Sequence, residues 1–142
     1  MGIFGTIGAS ILLIDDVEEV RDGIARLLGA DGYEVDAARS EASAVAAALR
    51  HPPRLLLLDL DGPPAVVIEL GKRIRHLAKL APAIPIVVFG PEEIDGAAPA
   101  DTADNIHVVN PGNFSEVRDC IGRLLATAPP ASAAEEAGHI PT

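Results

Sequence analysis

Short apolar runs alternate along this chain with stretches in which apolar residues recur at helical spacing. Four of these runs are rich in Leu, Ile and Val and predict the β-strands Ser10–Ile14, Leu55–Leu58, Ile86–Phe89 and Ile106–Val109, and Tyr33–Ala38 is predicted as a further short strand. Runs without polar alternation are typical of strands that are buried on both faces, as in a parallel sheet covered by helices.

The stretches between these runs predict the helices. Their apolar stripes are Val17, Val20, Ile24, Leu27 and Leu28; the Ala-rich segment Glu41–Arg50; Val67, Leu70, Ile74 and Leu77; and Phe114, Val117, Ile121 and Leu124. Asp16 precedes the first stripe and Glu19 follows three residues later, which indicates a capping box. A fourth helix is expected between positions 91 and 105, where Gly96 and Pro99 predict that it is short, frayed or partly loop. The alternation predicts an α/β fold of the (βα)5 type with right-handed crossovers.

Composition limits the classes of function. The predicted domain covers positions 9–127, with a lead at 1–8 and a flexible Ala- and Pro-rich tail at 128–142. The net charge of −10 disfavours binding to a phosphate backbone, so no nucleic-acid partner is expected. No apolar run is long enough to span a membrane. The one cysteine, Cys120, excludes an internal disulfide, fits a reducing cytoplasm and is expected to fill a small space in the core.

Carboxylates follow two of the predicted strands. Asp15 and Asp16 come directly after the first strand, and Asp59 and Asp61 end the run of four leucines. Open α/β sheets place their chemistry at the carboxyl ends of the strands. Like charges gathered there are unfavourable without a cation, and Mg2+ prefers such oxygen ligands. The pattern therefore predicts a cation site with phosphoryl chemistry, whereas the plainer interpretation makes Asp16 a helix cap and Asp59 a strand end.

Three motifs carry a resemblance to a known family. They are Ile11–Asp16, Leu57–Pro63 and Val108–Pro111. From about Ser10 to Ala126 the chain resembles a receiver domain, the response-regulator module of two-component signalling. The resemblance implies a flavodoxin-like, doubly wound parallel sheet with strand order 2-1-3-4-5.

The family resemblance also implies roles for individual residues. Asp59 would be the phosphoacceptor, and weakly bound Mg2+ would be held by Asp15, Asp16, Asp59 and the main-chain carbonyl of Asp61. The implied partners are a sensor histidine kinase or phosphotransfer protein and a downstream protein effector. The implied location is the cytoplasm, and the implied role is signalling rather than enzymatic, apart from self-catalysed phosphorylation of the Asp.

Three positions depart from the family pattern. Gly90 stands where the family has Thr or Ser, Asn110 stands where it has Lys, and His107 stands where it usually has an aromatic switch residue. Asn110 offers only neutral hydrogen bonds, which are weaker than those of a lysine. No polar partner of His107 is identifiable in the sequence, so packing at the sheet edge is expected for it.

Three functions remain open on the sequence alone. The first is an atypical single-domain response regulator that is phosphorylated on Asp59. The second is a pseudo-receiver that binds proteins without phosphorylation, which Gly90 and Asn110 favour. The third is a phosphatase of the haloacid-dehalogenase type, because Asp59-Leu60-Asp61-Gly62 is similar to the first motif of those enzymes. That motif normally opens the fold, whereas two predicted strands precede it here, and short motifs match easily by chance.

Overall fold

The five predicted strands form one sheet in a computed structural model of the protein, which describes residues 8–90, 105–110 and 112–127. The strands are β1 (Ser10–Asp15), β2 (Glu34–Ala38), β3 (Leu55–Asp59), β4 (Ile86–Phe89) and β5 (Ile106–Val109). All neighbours pair in parallel, in the order β2-β1-β3-β4-β5. This arrangement confirms the α/β fold class and the strand order.

Four helices cover the sheet within the described ranges. They are α1 (Glu18–Ala30), α2 (Glu41–Arg50), α3 (Pro64–Leu77) and α4 (Phe114–Thr127). The predicted irregular helix at 91–105 falls almost wholly on residues that the structure does not describe, and so do the tail at 128–142 and all but the last residue of the lead at 1–8. None of the described helices is both long and apolar enough to cross a membrane.

The run of four leucines contributes to a hydrophobic core on each face of the sheet. Successive side chains of a strand point to opposite faces. Leu56 and Leu58 pack with residues of α2 and α3, whereas Leu55 and Leu57 pack with residues of α1 and α4. All four are fully buried. The central strand therefore needs apolar side chains at every position, and the first polar one marks the edge of the sheet.

The β3–α3 connection is short and turns sharply. Gly62 has a φ of 126°, a conformation that strongly favours glycine, and Pro64 starts α3 at a position where a missing N–H costs nothing. Gly71 lies on the buried side of this helix, where an added Cβ would come within 3.0 Å of Ile86 Cγ2. The small residue lets α3 pack closely against β4.

The start of α1 differs from the prediction. The helix begins at Glu18, Val17 occupies the N-cap position, and no side chain caps the helix, so the predicted capping box of Asp16 and Glu19 is wrong. Only Ile24 and Leu28 of the predicted stripe are buried. Val17, Val20 and Leu27 are large apolar side chains with 43–50% of their surface exposed. The buried face of α1 is therefore narrower than the spacing of its apolar residues predicts.

Candidate functional site

Two acids meet at the carboxyl edge of the sheet. β1 and β3 are neighbours, and their register places Asp15 directly opposite Asp59. Both continue the alternation that turns Leu13 and Leu57 towards α1 and α4. Asp15 is buried with 1% of its surface exposed, Asp59 is half-buried, and Asp16 and Asp61 are exposed. The four acids thus lie at the carboxyl ends of β1 and β3 but differ greatly in their access to water.

The surroundings of Asp15 fix its orientation. Its Oδ1 accepts a hydrogen bond of 2.8 Å from the main-chain N–H of Val17. Its main-chain carbonyl accepts a hydrogen bond of 3.0 Å from Nη1 of Arg21. Its Oδ2 is buried and has no hydrogen-bond partner within the described part of the chain. A buried carboxylate oxygen without a donor is costly, and a bound cation would remove that cost.

The carboxyl of Asp59 is the most strongly perturbed acid of the site. Burial, a hydrogen bond to Asp15 when Asp59 is protonated, and the negative charges of Asp15, Asp16 and Asp61 together raise the pKa of Asp59 to about 7. When Asp15 and Asp59 are both ionised neither oxygen can donate, and the pair repels instead. The site is therefore an acid pair that favours either one proton or one cation.

The acids could contribute some ligands to Mg2+ but do not form a complete coordination site. No group of three or more His, Cys, Asp or Glu side chains in residues 8–90, 105–110 and 112–127 is gathered closely enough to hold a metal. Mg2+ usually keeps several waters and takes only one or two carboxylates from a protein. The free Oδ2 of Asp15 and the adjacent Asp59 meet that smaller requirement. The residues therefore fit a weakly held, hydrated Mg2+.

The ends of β4 and β5 carry neutral groups. The main-chain N–H of Gly90 donates to the carbonyl of Val109 at 2.9 Å, which continues the pairing of the two strands. Oδ1 of Asn110 accepts a hydrogen bond of 2.9 Å from the N–H of Gly112. The side-chain oxygen of Asn110 thus stabilises its own loop, and only its amide N–H groups remain to meet an anion.

His107 has a partner that the sequence did not reveal. Its Nε2 lies 2.7 Å from Oδ1 of Asn105, while Nδ2 of Asn105 donates to the carbonyl of Ala83 at 2.8 Å. Because Nδ2 of Asn105 donates to Ala83, the atom of Asn105 that faces His107 is the oxygen, which can only accept. Nε2 of His107 is therefore the protonated nitrogen and donates to Oδ1 of Asn105. Burial and the charge of Arg123 lower the pKa of His107, which favours the neutral ring. His107 is therefore favoured as a neutral side chain that is hydrogen-bonded to Asn105, directly before β5.

Two residues near these positions were missed by the sequence analysis. Arg21 lies in the first turn of α1, where its spacing from Asp15 alone does not reveal a contact with a main-chain carbonyl. Asn105 has a φ of 56°, and Asn tolerates that region better than most residues do. An Asn two residues before His107 in the sequence was the available signal for their contact.

Comparisons with known proteins concern the sequence of the chain and its fold. The family model described as "Response regulator receiver domain" matches residues 11–104. The phosphate regulon transcriptional regulatory protein PhoB of Pseudomonas aeruginosa is 35% identical over 83 residues, which are 58% of this chain and 36% of PhoB. The chain thus spans about a third of the length of this curated relative.

Solved structures share the fold. The response regulator protein TrrA from Thermotoga maritima in complex with Mg2+–BeF matches with a TM-score of 0.62 and 24% identity, over 82% of this chain and 98% of that one. The receiver domain of a sensor histidine kinase from Pseudomonas aeruginosa, with a magnesium ion coordinated in its active site cleft, matches with a TM-score of 0.60 and 21% identity, over 84% of this chain and 99% of that one. At these identities the likeness concerns the fold.

Proposed function

The chain belongs to the response regulator receiver domain family, and from this premise we propose that it takes up a phosphoryl group on the carboxylate of Asp59. The observation that carries the proposal is the pairing of Asp59 with the buried Asp15 at the carboxyl edge of the sheet. A receiver domain is a signalling module. The proposed role is therefore phosphorelay signalling, with output through contact with another protein.

The proposed reaction needs an ionised Asp59. A carboxylate oxygen of Asp59 attacks phosphorus in line, a new O–P bond forms, and the donor's bond to phosphorus breaks with its electrons leaving on the donor. With its pKa raised to about 7, Asp59 is partly protonated at neutral pH and a weaker nucleophile. The site must be relieved of negative charge before it reacts well.

A hydrated Mg2+ would relieve that charge. We propose that Asp15, Asp16, Asp59 and the main-chain carbonyl of Asp61 would hold it, as the family resemblance implies. When bound, Mg2+ neutralises carboxylate charge and the charge on a transferring phosphoryl group. Two receiver structures of the same fold contain magnesium, which supports this assignment. The unpartnered Oδ2 of Asp15 supports it from this chain itself.

The proposed donor is a sensor histidine kinase or a phosphotransfer protein in the cytoplasm, and the proposed output is a protein effector. The receiver-like domain is proposed at 9–127, and the net charge of −10 that the whole chain carries supports protein rather than nucleic-acid contact. The phosphatase alternative gains nothing from the family match. Asp61, its required acid, is exposed to solvent.

Incubation with acetyl phosphate and Mg2+, read by intact mass, tests the proposal. The expected result is addition of one phosphoryl group to the wild-type protein and none to Asp59→Asn. Asp36→Asn is the matched control, since Asp36 lies on β2, the edge strand, and should leave the addition intact. Addition to Asp59→Asn at the wild-type level would overturn the assignment of the acceptor.

A second candidate function is a pseudo-receiver that binds a partner without phosphorylation. The observation that favours it is the use of Asn110 within its own loop, beside a Gly90 that has no hydroxyl. If the wild-type protein gains no phosphoryl group with saturating acetyl phosphate and Mg2+, this second function replaces the first.

A further inference from the structure

We propose that Arg21 is a positioning residue for the acid pair, acting through its hydrogen bond to the main-chain carbonyl of Asp15. This inference rests on the proposed function, because it concerns how the same site binds Mg2+ and accepts phosphate. Arg21 does not need to touch either ligand. Its role is to hold the turn between β1 and α1 in the conformation that aims Asp15 at Asp59.

The turn is closed at three points. The main-chain N–H of Arg21 donates to the carbonyl of Val17 at 2.8 Å, which forms the first turn of α1. Its guanidinium returns to the carbonyl of Asp15 at 3.0 Å. The N–H of Val17 donates to Oδ1 of Asp15 at 2.8 Å. Since no side chain caps α1, these bonds are what fixes the direction in which the helix leaves the strand.

Holding this turn has a direct consequence for the site. With Oδ1 of Asp15 used by Val17, only Oδ2 remains for a cation, and it is buried without another partner. Rotation of the turn would move Oδ2 away from Asp59. Hydrogen bonds that orient a metal ligand typically change metal affinity by about 10–100-fold when they are removed.

Loss of the charge of Arg21 and loss of its hydrogen bond should change Mg2+ affinity in opposite directions, so the two effects can be separated. Arg21 is a partly buried cation that contacts the main chain of Asp15, so removing only its charge should tighten the binding of Mg2+. Removing a positioning bond should weaken it. The affinity of Mg2+ for Arg21→Gln therefore decides between the two by its sign.

The experiment measures Mg2+ affinity by NMR amide shifts in the full chain for wild type, Arg21→Gln, Arg21→Lys and the control Arg26→Gln. Arg26 is exposed on the same helix, and its replacement removes the same charge. We expect the dissociation constant to rise by about tenfold in Arg21→Gln and by less in Arg21→Lys, which keeps the charge and one donor. Arg26→Gln should stay within about twofold of wild type, because its charge is screened by solvent.

A second readout does not depend on the metal. The amide of Val17 should exchange faster with solvent in Arg21→Gln, because its acceptor Asp15 is less firmly held. Unchanged exchange together with unchanged or tighter Mg2+ binding would overturn the inference. If Arg21→Gln does not fold, Arg21→Met, which keeps the apolar stem and removes every donor, takes its place, and a wild-type dissociation constant and Val17 exchange rate in that variant would overturn the inference. Failure of the proposed function is seen separately, as wild-type protein that takes up neither Mg2+ nor phosphate.

Discussion

The two halves of the sheet's carboxyl edge differ in charge and in how their side chains are held. At β1 and β3, Asp15 and Asp59 face each other, with one carboxylate oxygen buried and unpartnered. At β4 and β5 the corresponding groups are Gly90, which offers only its backbone, and Asn110, whose oxygen bonds to Gly112. The first half has a buried carboxylate oxygen that a cation or a proton could pair with, whereas in the second half the side-chain oxygen of Asn110 already has a partner.

This difference indicates which parts of the proposed chemistry the chain keeps. In the proposed reaction the half at β1 and β3, the acid half, would supply the nucleophile and the cation ligands. In the half at β4 and β5, the neutral half, Gly90 and Asn110 carry neither a positive charge nor a hydroxyl that would respond to a phosphoryl group. The proposal therefore treats uptake and response as separate steps, and each can be tested on its own half of the edge.

The largest expected effect concerns the acid half. Asp15→Asn replaces the buried carboxylate by a neutral amide of the same shape, and we expect Mg2+ affinity to fall by about 100-fold, because a charged ligand of the metal is lost. An NMR titration of the variant would show this if amides near Asp59 no longer shift when Mg2+ is added up to tens of millimolar. Asp22→Asn, on the exposed side of α1, should titrate like wild type. Equal affinity in both variants would place the cation elsewhere.

The next effect is a pH dependence of stability that comes from Asp59. Its pKa is raised from 3.8 to about 7 in the fold, so between these values the folded protein binds more protons than the unfolded chain. The free energy of unfolding should therefore decrease as pH rises from about 4 to about 7 and level off above. Asp59→Asn should flatten this slope and stabilise the protein by about 1–2 kcal/mol at pH 8, a value discounted because Asp59 is only half-buried.

Urea unfolding across pH, with and without Mg2+, measures the slope. Asp22→Asn, on the exposed side of α1, serves as the control and should retain it. A slope that persists in Asp59→Asn would assign the pH dependence to other groups.

A smaller effect is expected in the neutral half. Asn110→Lys supplies the missing cation and should raise the yield of phosphoprotein severalfold with acetyl phosphate. The same change removes the hydrogen bond to Gly112 and should lower the free energy of unfolding by about 0.5–1.5 kcal/mol. Asn110→Ala separates the two, since it should lose stability without gaining phosphoprotein. Equal yields from the Lys and Ala variants would show that the absent charge does not limit the reaction.

The smallest effect is an expected lack of response in β5. Addition of beryllofluoride and Mg2+ should leave hydrogen exchange of Ile106–Val109 almost unchanged, because His107 is tied to Asn105 and Gly90 has no hydroxyl to follow the ligand. Amides of the β1–α1 turn should become protected in the same experiment. Strong new protection in β5 would restore a conventional switch and weaken the pseudo-receiver alternative.

The pattern of apolar residues was sufficient to predict the strands and their parallel arrangement, whereas the strand order came from the family resemblance. A strand that is apolar at every position must be covered by helices on both faces of the sheet. Its assignment as a strand and its end points therefore follow from local composition. The predicted ends of β4 and β5 agree with the structure, and β2 starts one residue later, at Glu34. The position of acids after β1 and β3 also followed, because the polar residue that ends a buried strand must lie at the edge.

The tertiary structure alone decided how those acids differ. The sequence places Asp15 and Asp16 side by side, and only the register of β1 with β3 makes Asp15 the buried partner of Asp59. The contacts of Arg21 with Asp15 and of Asn105 with His107 depend on how a turn folds back, which no apolar spacing encodes. The exposure of Val17, Val20 and Leu27 depends on how far α1 is covered by its neighbours. Burial in a strand is a local property of its sequence, whereas the environment of a polar side chain is set by the other elements that reach it.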